Sequence, residues 1–191
     1  MSGRSSGLIL VRGRQPSQVM SVLERHFSTW DFARHSGSRE RLIARYPRER
    51  REFVSLSSES WTGVYVEHLT DLFDLSYALS KRWPNTAVIA SRAYLHGHWE
   101  CKAYYDRDVL FNIGDAPDHE LPWVGRPMDS ESVPRVMQLL GGEEWHAFLE
   151  RSLDSTATPQ CLGDVVAINP TMAFEDALVL PSGTSFAWFR A

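Results

Sequence analysis

The densest set of reactive side chains in the sequence is Tyr94-Leu-His96-Gly-His98-Trp-Glu100-Cys101, where two imidazoles, a carboxylate and a thiol fall within six positions. All are acceptable transition-metal ligands. On a straight strand His96, His98 and Glu100 share one face and Cys101 takes the other, while Gly97 is the natural turn residue. Two readings stay open here, a ligand cluster and a hairpin tip carrying two exposed histidines. A second set is acidic: Asp106 and Asp108, then Asp115, Asp118, His119 and Glu120, the donor types that suit a hard cation. It lacks the glycine-anchored Asp-x-Asp-x-Asp loop with a downstream glutamate, and two carboxylates at a hairpin turn also describe a solvated tip. Together the two sets define one enzyme reading, a metal-dependent hydrolase using His96/His98 and Asp106/Asp108.

Other chemistry has less to stand on. No Ser-x-x-Lys and no phosphate-cradling glycine-rich loop occurs, and Gly141-Gly142 reads as a helix stop. No residue is assigned a catalytic role, and neither a metal nor another cofactor is expected.

The third constellation is basic. Residues 34–51 carry seven arginines (Arg34, Arg39, Arg41, Arg45, Arg48, Arg50, Arg51) against Glu40 and Glu49, a local surplus able to attract a phosphate backbone or an acidic protein face. Only Tyr46 interleaves, and no zinc finger, ribonucleoprotein motif or basic zipper is present. Three readings remain: complementation of the chain's own acids, an acidic protein partner, and nucleic acid. The candidate partner-binding residues are Arg39, Arg41, Arg45, Arg48, Arg50 and Arg51. Tyr104 joins them, because Trp61, Tyr65, Trp83, Tyr94, Trp99, Tyr104, Tyr105 and Phe111 crowd one region and strand alternation puts Tyr104 and Tyr105 on opposite faces. One of that pair is expected to be exposed or groove-lining.

The elements that must position these residues follow from periodicity. Leu8-Ile-Leu-Val11 reads as a buried strand, and Pro16-Ser17 opens a helix with Val19, Met20, Leu23 and Phe27 on one stripe. Thr29 to His35 alternates as a strand would; Arg41–Tyr46 and Glu52–Ser58 read as hairpin arms around Pro47-Arg-Glu-Arg50. The order then recurs: Val64–Val66 as strand, Asp71–Trp83 as helix, Thr86–Tyr94 as strand, and a hairpin of His98–Tyr105 and Val109–Ile113 joined at Asp106-Arg-Asp108. Offsets are nearly constant, 55 positions from Val11 to Val66 and 58 from Phe53 to Phe111, so the pattern admits an internal duplication. After Gly114 comes a polar, proline-rich connection. A helix from Ser132 to Gly141 and another over Glu143–Leu153 follow, then short segments ending in Phe186-Ala-Trp-Phe189.

The expected fold class is therefore α+β: two tandem strand-helix-strand-strand-strand units with antiparallel sheets, plus a small helical C-terminal part. The expected divisions are 1–58 (Arg-rich), 59–114, a connecting loop at 115–131, and 132–191 packed on the rest. The stretch from Trp61-Thr-Gly through Leu79-Ser80 to Tyr105-Asp-Arg-Asp resembles bacterial proteins of unassigned function. The tandem strand-helix-strand-strand order is similar to that of small-molecule-binding gyrase-inhibitor-like domains. Neither resemblance carries a functional residue across.

Composition bounds the rest. The chain has 191 residues, 43% hydrophobic, with formal net charge -4. That total conceals a split: residues 1–51 hold eleven arginines and four acids, and residues 52–191 hold nine basic and twenty acidic residues. Only Lys81 and Lys102 of the basic residues are lysine, a bias typical of GC-rich bacterial genomes. Two cysteines are too few for a disulfide framework, and no apolar run suits a membrane span or signal peptide. The expectation is a cytoplasmic, non-catalytic binding or regulatory protein. It would engage a protein partner with an acidic face, or a small-molecule ligand, through the Arg-rich surface or a groove between the units. Nucleic acid binding through residues 34–51 and the metal-dependent hydrolase are the alternatives.

Overall fold

Leu8, Ile9, Leu10 and Val11 are all 0% exposed. Consecutive apolar residues on a strand need cover on both faces, whereas a half-wet antiparallel strand alternates. The structure is a computed structural model that describes residues 5–34, 41, 45, 50–94, 98–114 and 128–190. It supplies both covers. Strands β1 (Ser6–Arg12), β2 (Arg50–Ser57), β3 (Trp61–Val66), β4 (Val88–Ala93), β5 (Trp99–Tyr105), β6 (Asp108–Gly114) and β7 (Thr184–Phe189) form one antiparallel sheet ordered β6-β5-β4-β1-β3-β2-β7. Helices α1 (Pro16–Ser28) and α2 (Leu72–Arg82) cover one face; α3 (Val133–Leu140), α4 (His146–Leu153), α5 (Pro159–Val166) and α6 (Phe174–Leu178) cover the other.

The sheet's centre is the β1–β3 pair, in register at Leu8↔Tyr65, Ile9↔Val64 and Leu10↔Gly63. β1 leads through α1 to β2, which lies beyond β3; β3 leads through α2 to β4, which lies beyond β1. The order β4-β1-β3-β2 is that of two interleaved split β-α-β units, the ferredoxin-like arrangement. The two strand-helix units therefore share one sheet instead of enclosing a groove between two sheets. In place, β2 corresponds to β4, and the β5–β6 hairpin extends the sheet beyond it.

Alternation along the strands sorts the core. Ile9, Val11, Phe53, Val64, Val66 and Val88 face α1 and α2, meeting Val19, Leu23, Phe27, Leu72, Leu75 and Leu79. Leu8, Leu10, Val54, Tyr65, Ile89, Cys101 and Phe111 face α3–α6, where Leu140, Trp145, Phe148, Leu149 and Leu162 pack. The hydroxyl of Tyr65, buried in that layer, donates a 2.6 Å hydrogen bond to the Asn169 carbonyl.

Three local expectations give way to different structures. Over its described residues, 29–34, the alternation expected at Thr29–His35 is not a strand; among them Ala33 forms an isolated bridge to Phe189. The Phe32 N–H donates to the Phe27 carbonyl and the Asp31 N–H to the Ser28 carbonyl, with Asp31 at φ 60°, which is a Schellman stop to α1 sealed by Phe32 against Phe27. Of the Arg41–Tyr46 arm, Arg41 and Arg45 are described, and their backbone is helical. The edge of β2 that such an arm would pair with is taken by β7, from Arg50↔Phe189 to Ser55↔Thr184. The terminal apolar run is thus a sheet strand and not part of a helical segment.

The second hairpin turns where its sequence indicated. Asp106 (φ 49°) and Arg107 (φ 75°) form a two-residue turn with both residues left-handed, the geometry that matches strand twist. The Arg107 N–H donates to the Ser80 hydroxyl at 3.1 Å, tying the tip to α2.

Candidate functional site

Among the described arginines of the basic stretch, Arg50 and Arg51 are held by the chain's own acids, whereas Arg34, Arg41 and Arg45 are exposed. Glu52 and Glu67 are cross-strand neighbours, since Phe53 pairs with Val66 and the Glu67 N–H donates to the Glu52 carbonyl. Like charges in that position repel unless a cation bridges them. Arg50 does so, with Nη2 2.7 Å from Glu67 and Nε 3.3 Å from Glu52, which is only 3% exposed. Burial alone would raise the Glu67 carboxyl, but the hydrogen bonds from His68 and Arg50 hold it down at about 2. The same bond to Glu67 raises the Arg50 guanidinium against the lowering effect of burial. Arg51, on the opposite face, hydrogen-bonds the Asp71 carboxylate just ahead of α2. Intramolecular complementation thus accounts for Arg50 and Arg51.

Next to these pairs, where β2 meets β7, aromatic rings and guanidinium groups alternate. Phe27, Phe53 and Trp188 interlock with centroids 5.4–5.6 Å apart and anchor the edge. Over this base, Arg51 and Arg190 lie 5.3 and 5.2 Å from the Phe32 ring, and Arg34 lies 5.6 Å from Phe186. Cation–π contact orients a guanidinium over a ring without neutralising its charge. Arg34, Arg190, Arg41 and Arg45 are exposed, and Trp30 is 41% exposed beside His26. Arg39 and Arg48 lie outside the described residues. Tyr104 is only 5% exposed, packed against Tyr77; Tyr105 is half-buried. Burial, then the nearby Asp74 and Glu100 carboxylates, pushes the Tyr104 hydroxyl well above its usual range.

The metal-ligand candidates do not converge. His98 is exposed at the start of the hairpin, and His96 lies outside the described residues. Glu100 accepts a 2.7 Å hydrogen bond from Arg92, while Cys101 points to the other face, fully buried, its thiol pushed up by burial and by Glu100. Asp106 is at the turn and Asp108 begins β6; Asp115, Asp118, His119 and Glu120 lie outside the described residues. Among the described residues no three His, Cys, Asp or Glu side chains form a group able to hold a metal ion.

Two concave sites escaped the sequence reading. One, about 390 Å³, lies between the end of the β5–β6 hairpin and the α4–α5 connection, with Trp99, Ile113, Leu153, Asn112 and Thr158 among its lining. Cys161 sits on the adjoining first turn of α5. A hydrogen bond from Thr158, and then Arg151, lowers its thiol below the usual range. The other, about 520 Å³, is at one end of the sheet and is lined by Arg12, Gly13, Arg14, Glu59, Ser60, Asn85, Thr86 and Ala87. These residues come from the β1–α1 connection, the β2–β3 turn and the α2–β4 connection, so no single stretch of sequence signals it.

Among the described residues no helix is long and apolar enough to cross a membrane. No family model matches the chain, and no curated protein and no solved structure matches it.

Proposed function

We propose that this chain is a non-catalytic binding or regulatory protein that engages an acidic face of a protein partner through the arginine-lined edge where β2 meets β7. The observation that carries this reading is the placement of the exposed Arg34 and Arg190 on the Phe186 and Phe32 rings, with Arg41, Arg45 and Trp30 also exposed. Rings that pre-position guanidinium groups reduce the side-chain entropy lost on binding, and Arg and Trp supply much of the energy at protein interfaces. The twenty acidic residues beyond position 51 neutralise part of the basic charge from within, as at Arg50 and Arg51, while Arg34, Arg41, Arg45 and Arg190 present exposed side chains.

The test uses poly-L-glutamate as the acidic polypeptide and a single-stranded oligonucleotide as the competing ligand class. Exposed charge pairs contribute about 0.2–1 kcal/mol each. Reversing Arg34, Arg41 and Arg45 to glutamate together should therefore weaken poly-glutamate binding by about tenfold or more. Unchanged affinity in that variant would remove the reading. Tighter binding of the oligonucleotide than of poly-glutamate, with a steep salt dependence, would replace it by nucleic-acid binding.

A further inference from the structure

Five of the described arginines are half-buried: Arg12, Arg14, Arg50, Arg51 and Arg92. Removing part of a guanidinium from water is costly unless a counter-charge compensates, and three of the five have one. Arg50 pairs with Glu52 and Glu67, Arg51 with Asp71, and Arg92 with Glu100. Arg12 and Arg14 have no carboxylate within ion-pairing distance among the described residues, and both line the 520 Å³ groove. We infer that this groove binds the phosphate group of a small anionic ligand, which supplies the missing counter-charge.

The local structure holds both guanidinium groups in place with neutral partners. Arg12 donates to the Leu139 carbonyl at 3.3 Å, at the C-terminal end of α3, and Arg14 donates to the Thr86 hydroxyl at 3.0 Å and lies 5.1 Å over the Trp83 ring. A guanidinium carries five donors, so each contact leaves most of the fork unused. Between them Gly13 has φ +62°, and a Cβ added there would meet nothing within 4 Å. The backbone bends out of the way and the space beyond it is open. Asn85, itself left-handed at φ 66°, and Ser60 are exposed members of the same lining and add an amide and a hydroxyl donor. The forked Arg14 cation, with neutral donors beside it, suits a tetrahedral oxyanion, while the Arg12 guanidinium lies against Leu139 and Gly141 at the edge of the site; the volume exceeds a bare phosphate, which leaves room for the organic part of a phosphomonoester. Glu59 is the one carboxylate among the lining residues, and it disfavours a ligand whose charge extends past the phosphate.

The experiment is an amide chemical-shift titration of the full chain with inorganic phosphate, and separately with ribose 5-phosphate. Saturable shifts centred on Gly13, Ser60 and Asn85 are expected with both, and tighter binding of ribose 5-phosphate identifies a phosphomonoester as the ligand class. Tighter binding of inorganic phosphate assigns the free ion. Arg14→Gln should weaken binding at least tenfold. Because Arg14 also braces Thr86 and Trp83, Ser60→Asp serves as the second variant: it is exposed, should leave the fold intact and should abolish the shifts, whereas Glu59→Gln should tighten binding. Absence of saturable shifts at these residues with either anion would overturn the inference. So would retention of wild-type affinity in folded Ser60→Asp protein.

Discussion

Glu52 and Glu67 lie side by side across the β2–β3 ladder, and the Arg50 guanidinium reaches both carboxylates. This is where the basic early part of the chain meets the acidic remainder, and it has a pH signature. Glu67 is held at about 2 in the fold against an ordinary 4.5. A depressed carboxyl stabilises the folded state above the unfolded value and loses that contribution as pH falls from 4.5 through 2. Partial exposure of the pair limits the effect to about 1–2 kcal/mol. Urea unfolding of wild type should steepen in pH dependence below pH 4.5, and Glu67→Gln should be less stable at pH 7 with a flatter acid slope. Equal slopes in the two proteins would refute the assignment.

Trp188 closes the sheet edge against Phe27 and Phe53 and is 1% exposed. Truncating it removes a large ring from a layer formed by α1, β2 and β7. Trp188→Ala should cost about 3–5 kcal/mol, read as a fall in the denaturant midpoint at constant slope. A loss below about 1 kcal/mol would mean that β7 is not a structural member of the sheet.

The two thiols should differ sharply in reactivity. Cys161 has a lowered ionisation through Thr158 and Arg151, whereas Cys101 is wholly buried with its thiol raised. Since the thiolate is the nucleophile, Ellman's reagent at neutral pH should label one thiol in the native protein, and Cys161→Ser should abolish that phase. Cys101 should react only after denaturation. Rapid labelling of two thiols in the native state would contradict the placement of Cys101.

Arg107 occupies a left-handed position, φ 75°, in the β5–β6 turn. Glycine reaches that conformation without a Cβ penalty, so Arg107→Gly should raise stability by about 0.5–1 kcal/mol, measured as an increase in Tm. A decrease would indicate that the Arg107 side chain contributes more than its backbone costs.

Local chemistry was legible in the sequence, and pairing across long separations was not. The helix expected at Asp71–Trp83 is α2, Leu72–Arg82, because a single amphipathic stripe and its flanking residues determine it. The Asp106-Arg107 tip was likewise readable from its neighbours. Trp30 and Phe32 misled because a Schellman stop followed by an apolar seal produces the same short alternation as a strand. The pairing of Arg50 with Phe189 was invisible, since nothing local in either segment distinguishes one edge strand from another. The split β-α-β order was hidden for the same reason: two strand-helix units read identically whether they stand apart or interleave. At the candidate edge, the arginines were evident, but which of them meet internal acids depended on cross-strand register, and Arg190, from the far end of the chain, was not anticipated beside Phe32.

The arginine-lined edge is tested most directly by mapping where an acidic polypeptide lands. In an NMR titration with poly-L-glutamate, the account predicts that the Trp30 indole and the amides of residues 30–34 and 184–190 shift first and saturate together, and that Arg34→Glu suppresses them. Binding that leaves those resonances unmoved, with shifts confined elsewhere on the molecule, would contradict it.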